Sequence, residues 1–455
     1  MLPDKFSPSK KGTGLHLMNA RRPRHGARQS LTVAQKAQQL LKVLPYMKNA
    51  MDLQIVYPHR DAEPSPQKSF RFIEATWMAV GNGERLTRLD LSIPLETFAQ
   101  VTQGAPIFTQ LEHLGITIHA AISFMGTASY KIAHFVNGKC SKVRSLSLTF
   151  APLSSDTVLP FFVALHPLPN LSCLSLTVPI SNFNDKITSF LKSHSHSLQT
   201  LHIALEGSPG KNDLPHPQAT LAHPVFHISY PNLSSLTLGL VQWNHHDAAL
   251  RSEVARFLTT YLGRHASTLK TLRIDGYVFT FAQFISFMDN LGGDDSILES
   301  LTVQLHFLSC EFLQYLADNL QKLKHLDVAF GFICDRTDVP FLDRNLNWRE
   351  VRSSKSSSSS KRYTDPYSIF QRDMIVDTTS KDFFNKIHDQ DYSYWSLVNL
   401  DFEYRGYDVC PYYDRARTYQ SFQKALANAL SGVERFNGMD RKTFLRERPF
   451  TDFNE

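Results

Sequence analysis

The chain has 455 residues, 42% of them hydrophobic and 20% charged, which fits a large folded core and excludes a wholly disordered chain. Its net charge of +6 is uneven: residues 1–48 carry ten Lys and Arg against one acid, Asp4, while the rest holds 38 basic and 41 acidic side chains. The longest apolar stretch, Val158 to Leu165, is too short to span a bilayer, and no apolar segment of signal type succeeds the N-terminus, so neither a membrane partner nor secretion is expected.

Residues 1–30 read as a basic disordered tail, densest at Arg21-Arg22-Pro23-Arg24-His25-Gly26-Ala27-Arg28. Its Gly, Pro and Ser cannot build a core. Clustered guanidiniums also fit a nuclear import signal or a nucleic-acid arm, and an Arg-rich, acid-poor stretch fits a mitochondrial presequence. Thr32 and Gln35 then form a capping-box pattern ahead of Val33, Ala37, Leu40, Leu41 and Leu44, with Pro45 as the stop. This predicts a helix that caps the first strand.

Beyond this helix one phrase recurs: an apolar residue, two others, Leu, one other, then an aliphatic. It begins at Leu86, Leu111, Val143, Leu171, Leu198, Leu233, Leu269, Leu298 and Leu323, and a last copy begins at Leu397. An eroded earlier copy is expected around Met51-Asp-Leu53-Gln-Ile55. One such phrase is weak evidence because leucine is common, but nine at steps of 25–36 residues are a repeat. Aliphatics at period two point one way and the residues between them the other, so each phrase predicts a short parallel strand that needs neighbours to bury its apolar face. Between the phrases lie helical stripes. Leu250, Val254, Phe257, Leu258 and Tyr261 end at Gly263. Thr280 and Gln283 suggest a capping box before Phe281, Phe284, Ile285 and Met288, with Gly292 as the stop. Phe312, Leu313, Leu316, Ala317 and Leu320 form a third.

The expected organisation is a repeat array over 31–345 that includes the capping helix. A low-complexity loop over 346–365 contains the Ser353–Ser360 run, and 366–455 holds the last repeat and a capping helix with Phe422, Leu426, Leu430 and Val433. The fold class is α/β: a leucine-rich-repeat solenoid, or horseshoe, with a parallel sheet on its concave side and helices on its convex side.

Catalytic chemistry does not converge. No GxSxG elbow and no phosphate-binding loop occur, and Gly81-Asn-Gly83 lacks a third glycine. Five scattered cysteines without a CxxC pair predict neither a disulfide framework nor a thiolate zinc site, and point to a reducing compartment. His223 and His227 have ligand-like spacing, but Pro224 disfavours a helix there. His194-Ser-His196 and His245-His246 read as loop histidines, and Asp294-Asp295 as a turn. No enzyme activity, cofactor or metal is expected.

Outward strand positions would line the concave face. The candidates there are Arg88, Asp90, His113, His202, Arg273, Asp275, Gln304, His325, Asp327, Asp401 and Glu403. The middle of the array is small and neutral and acids gather toward its C-terminal end, which suits a protein or peptide partner, basic near Asp327, Asp401 and Glu403, rather than nucleic acid.

On these phrases and their long helical spacers, residues 31–435 resemble the leucine-rich-repeat portion of F-box proteins, particularly the irregular kind expanded in fungi. The resemblance implies a monomeric scaffold that holds a protein target, and a connection to the adaptor of a cullin ubiquitin ligase. The F-box itself is not visible: Leu2-Pro3 resembles its opening, but the next residues lack its helical spacing. Two other readings are a nuclear or nucleic-acid-associated factor that uses the basic tail, and a GTPase-activating repeat protein with Arg88 or Arg273 at a strand end. The expected location is cytoplasmic or nuclear.

Overall fold

The computed structural model describes residues 39, 42, 50–56, 73–78, 80, 84–95, 98–119, 127–150, 155–179, 185–206, 223–240, 248–293, 296–333, 383, 385–387, 389–404 and 424–446. The basic tail, most of the N-terminal helix and the Ser-rich loop lie outside them. The chain divides at Leu233/Ser234 into two compact units, a boundary that falls inside the span 31–345.

In the first unit, strands β1 (Asp52–Val56), β2 (Arg88–Pro94), β3 (His113–His119), β4 (Ser145–Phe150), β5 (Cys173–Pro179) and β6 (Thr200–Glu206) lie in chain order, each parallel to the next. The eroded copy is therefore a strand, β1. Helices α1 (Phe98–Val101), α2 (Thr127–Lys139), α3 (Ser155–Ala164) and α4 (Asp185–Ser193) return the chain between strands. Parallel neighbours require such a crossover.

In the second unit, β7 (Ser235–Gly239), β8 (Thr271–Phe279), β9 (Ser300–Leu308), β10 (His325–Ile333), β11 (Asn399–Tyr404) and β12 (Arg435–Phe436) are again parallel and sequential. Only β13 (Met439–Asp440) runs antiparallel, in a hairpin with β12. Asn437 and Gly438 take positive φ at its turn, the pairing that a two-residue hairpin demands. Helices α5 (Ala248–Gly263), α6 (Phe281–Met288) and α7 (Cys310–Asn319) fill the crossovers and α8 (Arg441–Arg446) comes after the hairpin. Among the described residues this makes thirteen strands.

The phrase maps onto these strands position by position. Its first residue is almost wholly buried in every copy, from Leu86 through Leu171, Leu269 and Leu323 to Leu397. Its fourth and sixth residues are buried too, as Leu174 and Leu176 or Leu301 and Val303, while the third and fifth stay partly exposed. The carbonyl of the second residue accepts two N–H groups from the next copy. Glu112 O takes those of Arg144 and Ser145, and Lys270 O those of Glu299 and Ser300. One acceptor thus serves two donors at the entries to β2–β6 and β8–β12, which fixes the register before the ladder begins.

Helices close the buried face with aromatic rings. Phe150 of β4 meets Phe161 of α3 edge-on at 5.7 Å, and Phe279 of β8 meets Phe287 of α6 at 4.9 Å. The capping box at Thr280 and Gln283 forms with both reciprocal bonds, and Ser309 caps α7 by accepting from Phe312 N–H. The α6 stripe differs in one detail: Phe287 is fully buried, whereas Phe281 and Ile285 are only partly so. At the C-terminal end the helical stretch stops at residue 429, with Leu426 and Leu430 buried. Val433 does not extend that helix. It opens a further phrase, Val433-Glu-Arg-Phe436, whose Phe436 pairs with Leu400.

Candidate functional site

The strand register turns the sequence positions into literal rows. In the first unit, third residues align as Asp52, Arg88, His113, Ser145, Cys173 and Thr200, and fifth residues as Gln54, Asp90, Gly115, Ser147, Ser175 and His202. In the second, the third-residue row is Ser235, Thr271, Ser300, His325, Asn399 and Arg435, and the fifth-residue row is Thr237, Arg273, Thr302, Asp327 and Asp401. In each unit these rows share the strand face opposite the buried aliphatics.

Three of the candidates in the first unit meet at its N-terminal side. Arg88 Nε donates to Asp90 Oδ2 at 2.9 Å, and His113 neighbours Arg88 in register. Gly115 lies beside Asp90: a Cβ there would come within 2.1 Å of Asp90 Oδ1, so the glycine makes room for the carboxylate. His202 sits apart, across from Ser175. Between them the face holds Ser145, Ser147, Thr149, Ser175 and Thr177, all small and uncharged.

The second unit brings its candidates together differently. Arg273 Nε donates to Asp275 Oδ2 at 2.6 Å, which with the nearby Asp327 makes the guanidinium hold its proton more firmly. Asp327 stands in register with Asp401 on the next strand. Burial, then the charge of Asp401, pushes the Asp327 carboxyl above its ordinary value; Arg273 opposes this, while Asp275 and Glu403 add to it. His325 and Asn399 are joined side by side at 2.6 Å.

One expected row does not exist. An unbroken strand would let Asp275, Gln304 and Glu403 flank the central positions together, but β8 bulges between Arg273 and Val278, so Val278, not Asp275, opposes Gln304. The cause is Gly276 at φ +79°, where a Cβ would fall 1.9 Å from Leu240 O. Only glycine accepts both that φ and that approach. Leu240 N–H bonds Asp275 O instead, and Tyr277 turns inward. Ala329 then lies between Gln304 and Glu403.

The histidine expectations also need one correction. His194 is no loop residue at the surface: it is 3% exposed, its Nδ1 bonds Phe190 O at 2.8 Å, and its Nε2 accepts Leu168 N–H at 3.0 Å. His265, also buried, occupies the equivalent place in the second unit. Each lies four residues after an aromatic it contacts, Phe190 at 4.5 Å and Tyr261 at 5.3 Å, and four before the next phrase. The signal for both is Phe-x-x-x-His-x-x-x-Leu at 190–198 and Tyr-x-x-x-His-x-x-x-Leu at 261–269. His223 caps a 3-10 turn over Pro224–His227, as Pro224 dictates, and burial lowers its affinity for a proton. His245, His246, Asp294 and Asp295 lie outside the described residues.

Two asparagines tie successive crossovers together. Asn137 Nδ2 donates to Ala164 O while its Oδ1 accepts His166 N–H, and Asn232 Nδ2 donates to His196 O. Each ties one crossover to the next. Cys140 is buried, which pushes its thiol up and away from reactivity. Among the described residues, no group of three His, Cys, Asp or Glu side chains is placed to hold a metal, and no helix is long and apolar enough to cross a membrane. No protein-family model matches this chain, and no curated protein matches it.

Proposed function

We propose that this chain is a leucine-rich-repeat horseshoe that acts as a non-enzymatic scaffold, holding a protein partner on the open face of its strands as the recognition part of an F-box-like ubiquitin-ligase adaptor. The observation that carries the reading is the contrast along each strand. Alternate residues are fully buried against helices, while the others form in-register polar rows that stay partly exposed. Such rows present many shallow side chains over a broad surface, which suits a macromolecule better than a small substrate. A GTPase-activating role would require an arginine free to reach a phosphate, but Arg88 and Arg273 are each held by a carboxylate two residues on.

The test is affinity purification of the full chain from its own cells, read by mass spectrometry. Recovery of the ligase adaptor and cullin is expected. A reproducible set of other proteins without them sinks the ligase connection and leaves the scaffold, and the absence of any specific partner sinks both.

A further inference from the structure

Resting on the scaffold reading, we infer that the open face of β8–β11 in the second unit is the docking surface for an extended, lysine- or arginine-bearing segment of a protein partner. The first argument is charge. Along these four strands the face carries Asp275, Asp327, Asp401 and Glu403, and among the described residues Arg273 and, one row away on β12, Arg435 are the cations of its aligned rows. Arg273 is already committed to Asp275 at 2.6 Å. Asp401 and Glu403 are exposed to solvent.

The second argument is shape. On β10 the face beside the acids carries two small residues, Ala329 and Gly331. Ala329 stands next to Glu403 and Gln304, and it is 6% exposed although it points to the open side. Gly331 comes two residues on, with a Cβ position only 3.2 Å from His306 O. A low apolar floor beside carboxylates fits a long aliphatic stem that ends in a cation, the form of Lys and Arg.

The third argument is spacing. Neighbouring strands lie about 4.8 Å apart, so the acids from β8 to β11 span about 14 Å across the sheet. Alternate residues of an extended segment repeat at about 6.6 Å, so cations at every second position reach both ends of that span. Basic charges brought there also relieve the crowding of like charges at Asp327, which Arg273 opposes.

The experiment measures binding of a fluorescein-labelled peptide of alternating lysine and serine to the full chain at low and moderate salt. Asp401→Asn and Glu403→Gln are each expected to weaken it roughly fivefold, and Arg273→Gln to tighten it by releasing Asp275. Glu74→Gln, an exposed acid outside the sheet face, serves as the control for net charge and leaves the affinity unchanged. Opposite signs from Arg273→Gln and Asp401→Asn separate docking from misfolding. The inference is overturned if Asp401→Asn and Glu403→Gln bind as the parent does, if Glu74→Gln weakens binding equally, or if a peptide of alternating glutamate and serine binds as well. It is likewise overturned if spermine obeys the variant pattern while the peptide does not, since the site then takes a small polyamine. Partners purified equally well with the Asp401→Asn/Glu403→Gln double variant would refute this surface and leave the scaffold intact. Failure to recover any partner with the parent chain would refute the scaffold, while the peptide assay still judges the surface.

Discussion

The open faces of the two units are built on the same strand phrase and differ in almost everything else. In the first unit the centre of the face is a field of Ser and Thr on strands of five to seven residues, with the ion pair Arg88–Asp90 at the margin. In the second, β8, β9 and β10 each run nine residues, a glycine bulge breaks one row, and Asp327 of β10 gathers the carboxylates of Asp275 on β8 and of Asp401 and Glu403 on β11 around it. The aliphatic positions cannot vary without opening the core, whereas the positions between them lie on the open side and are free of that constraint. The faces are therefore where two halves with one architecture acquire separate chemistry.

That contrast can be broken first at the positions the units share. Leu201→Ala and Leu301→Ala remove equivalent, fully buried fourth residues, and each should cost about 2–5 kcal/mol. Urea denaturation monitored by circular dichroism checks this, and a much smaller loss in either unit would show that its phrase is not part of a packed core. Gly276→Ala acts only on the second unit. With φ at +79° and Leu240 O in the way, it should cost about 2–3 kcal/mol, well above Gly331→Ala, whose nearest backbone atom is 3.2 Å from the new Cβ. Equal losses from both would mean that the bulge is not what sets the face.

A next test addresses the buried histidine that both units carry. His194→Ala leaves Leu168 N–H and Phe190 O without their ring partner, an expected loss of about 1–3 kcal/mol. His194→Asn, which keeps a donor and an acceptor, should recover part of it in the same thermal melts. The gentlest test concerns electrostatics in the second unit. Because the Asp327 carboxyl is raised in the folded state, the unfolded chain releases this proton first as pH rises from about 4, so ionised Asp327 weakens the fold above that point. Asp327→Asn should therefore raise the melting temperature at pH 7, with the gain shrinking toward zero as pH falls below about 4. A lower melting temperature at pH 7 would show that Asp327 is held by favourable contacts and not crowded by like charges.

Much of the candidate site is legible in the sequence. The outward rows can be written down from period two alone, and the gathering of acids at Asp327, Asp401 and Glu403 needs only the phrase alignment. Counting residues puts Asp275 and Gln304 in one row because it assumes an unbroken strand. The bulge at Gly276 puts three extra residues of β8 between the pairs Arg273–Thr302 and Val278–Gln304, which shifts everything after it. His194 reads as a loop residue because it lies between serines. Its burial comes from a backbone N–H 26 residues earlier and a carbonyl four residues earlier, and the first of these partners is invisible to local reading.

Local chemistry by itself determined the repeat, the strands and the helices between them, with the capping box at Thr280 and Gln283. These depend on period and on neighbours within a few residues, information that a linear chain carries in full. Tertiary structure alone decided the bulge at Gly276, the burial of His194 and His265, and the strand hidden in Val433-Glu-Arg-Phe436. The bulge, the burial of His194 and the last strand are each set by a backbone group supplied from the adjacent repeat. Two repeats come to share such a contact only when the stack forms.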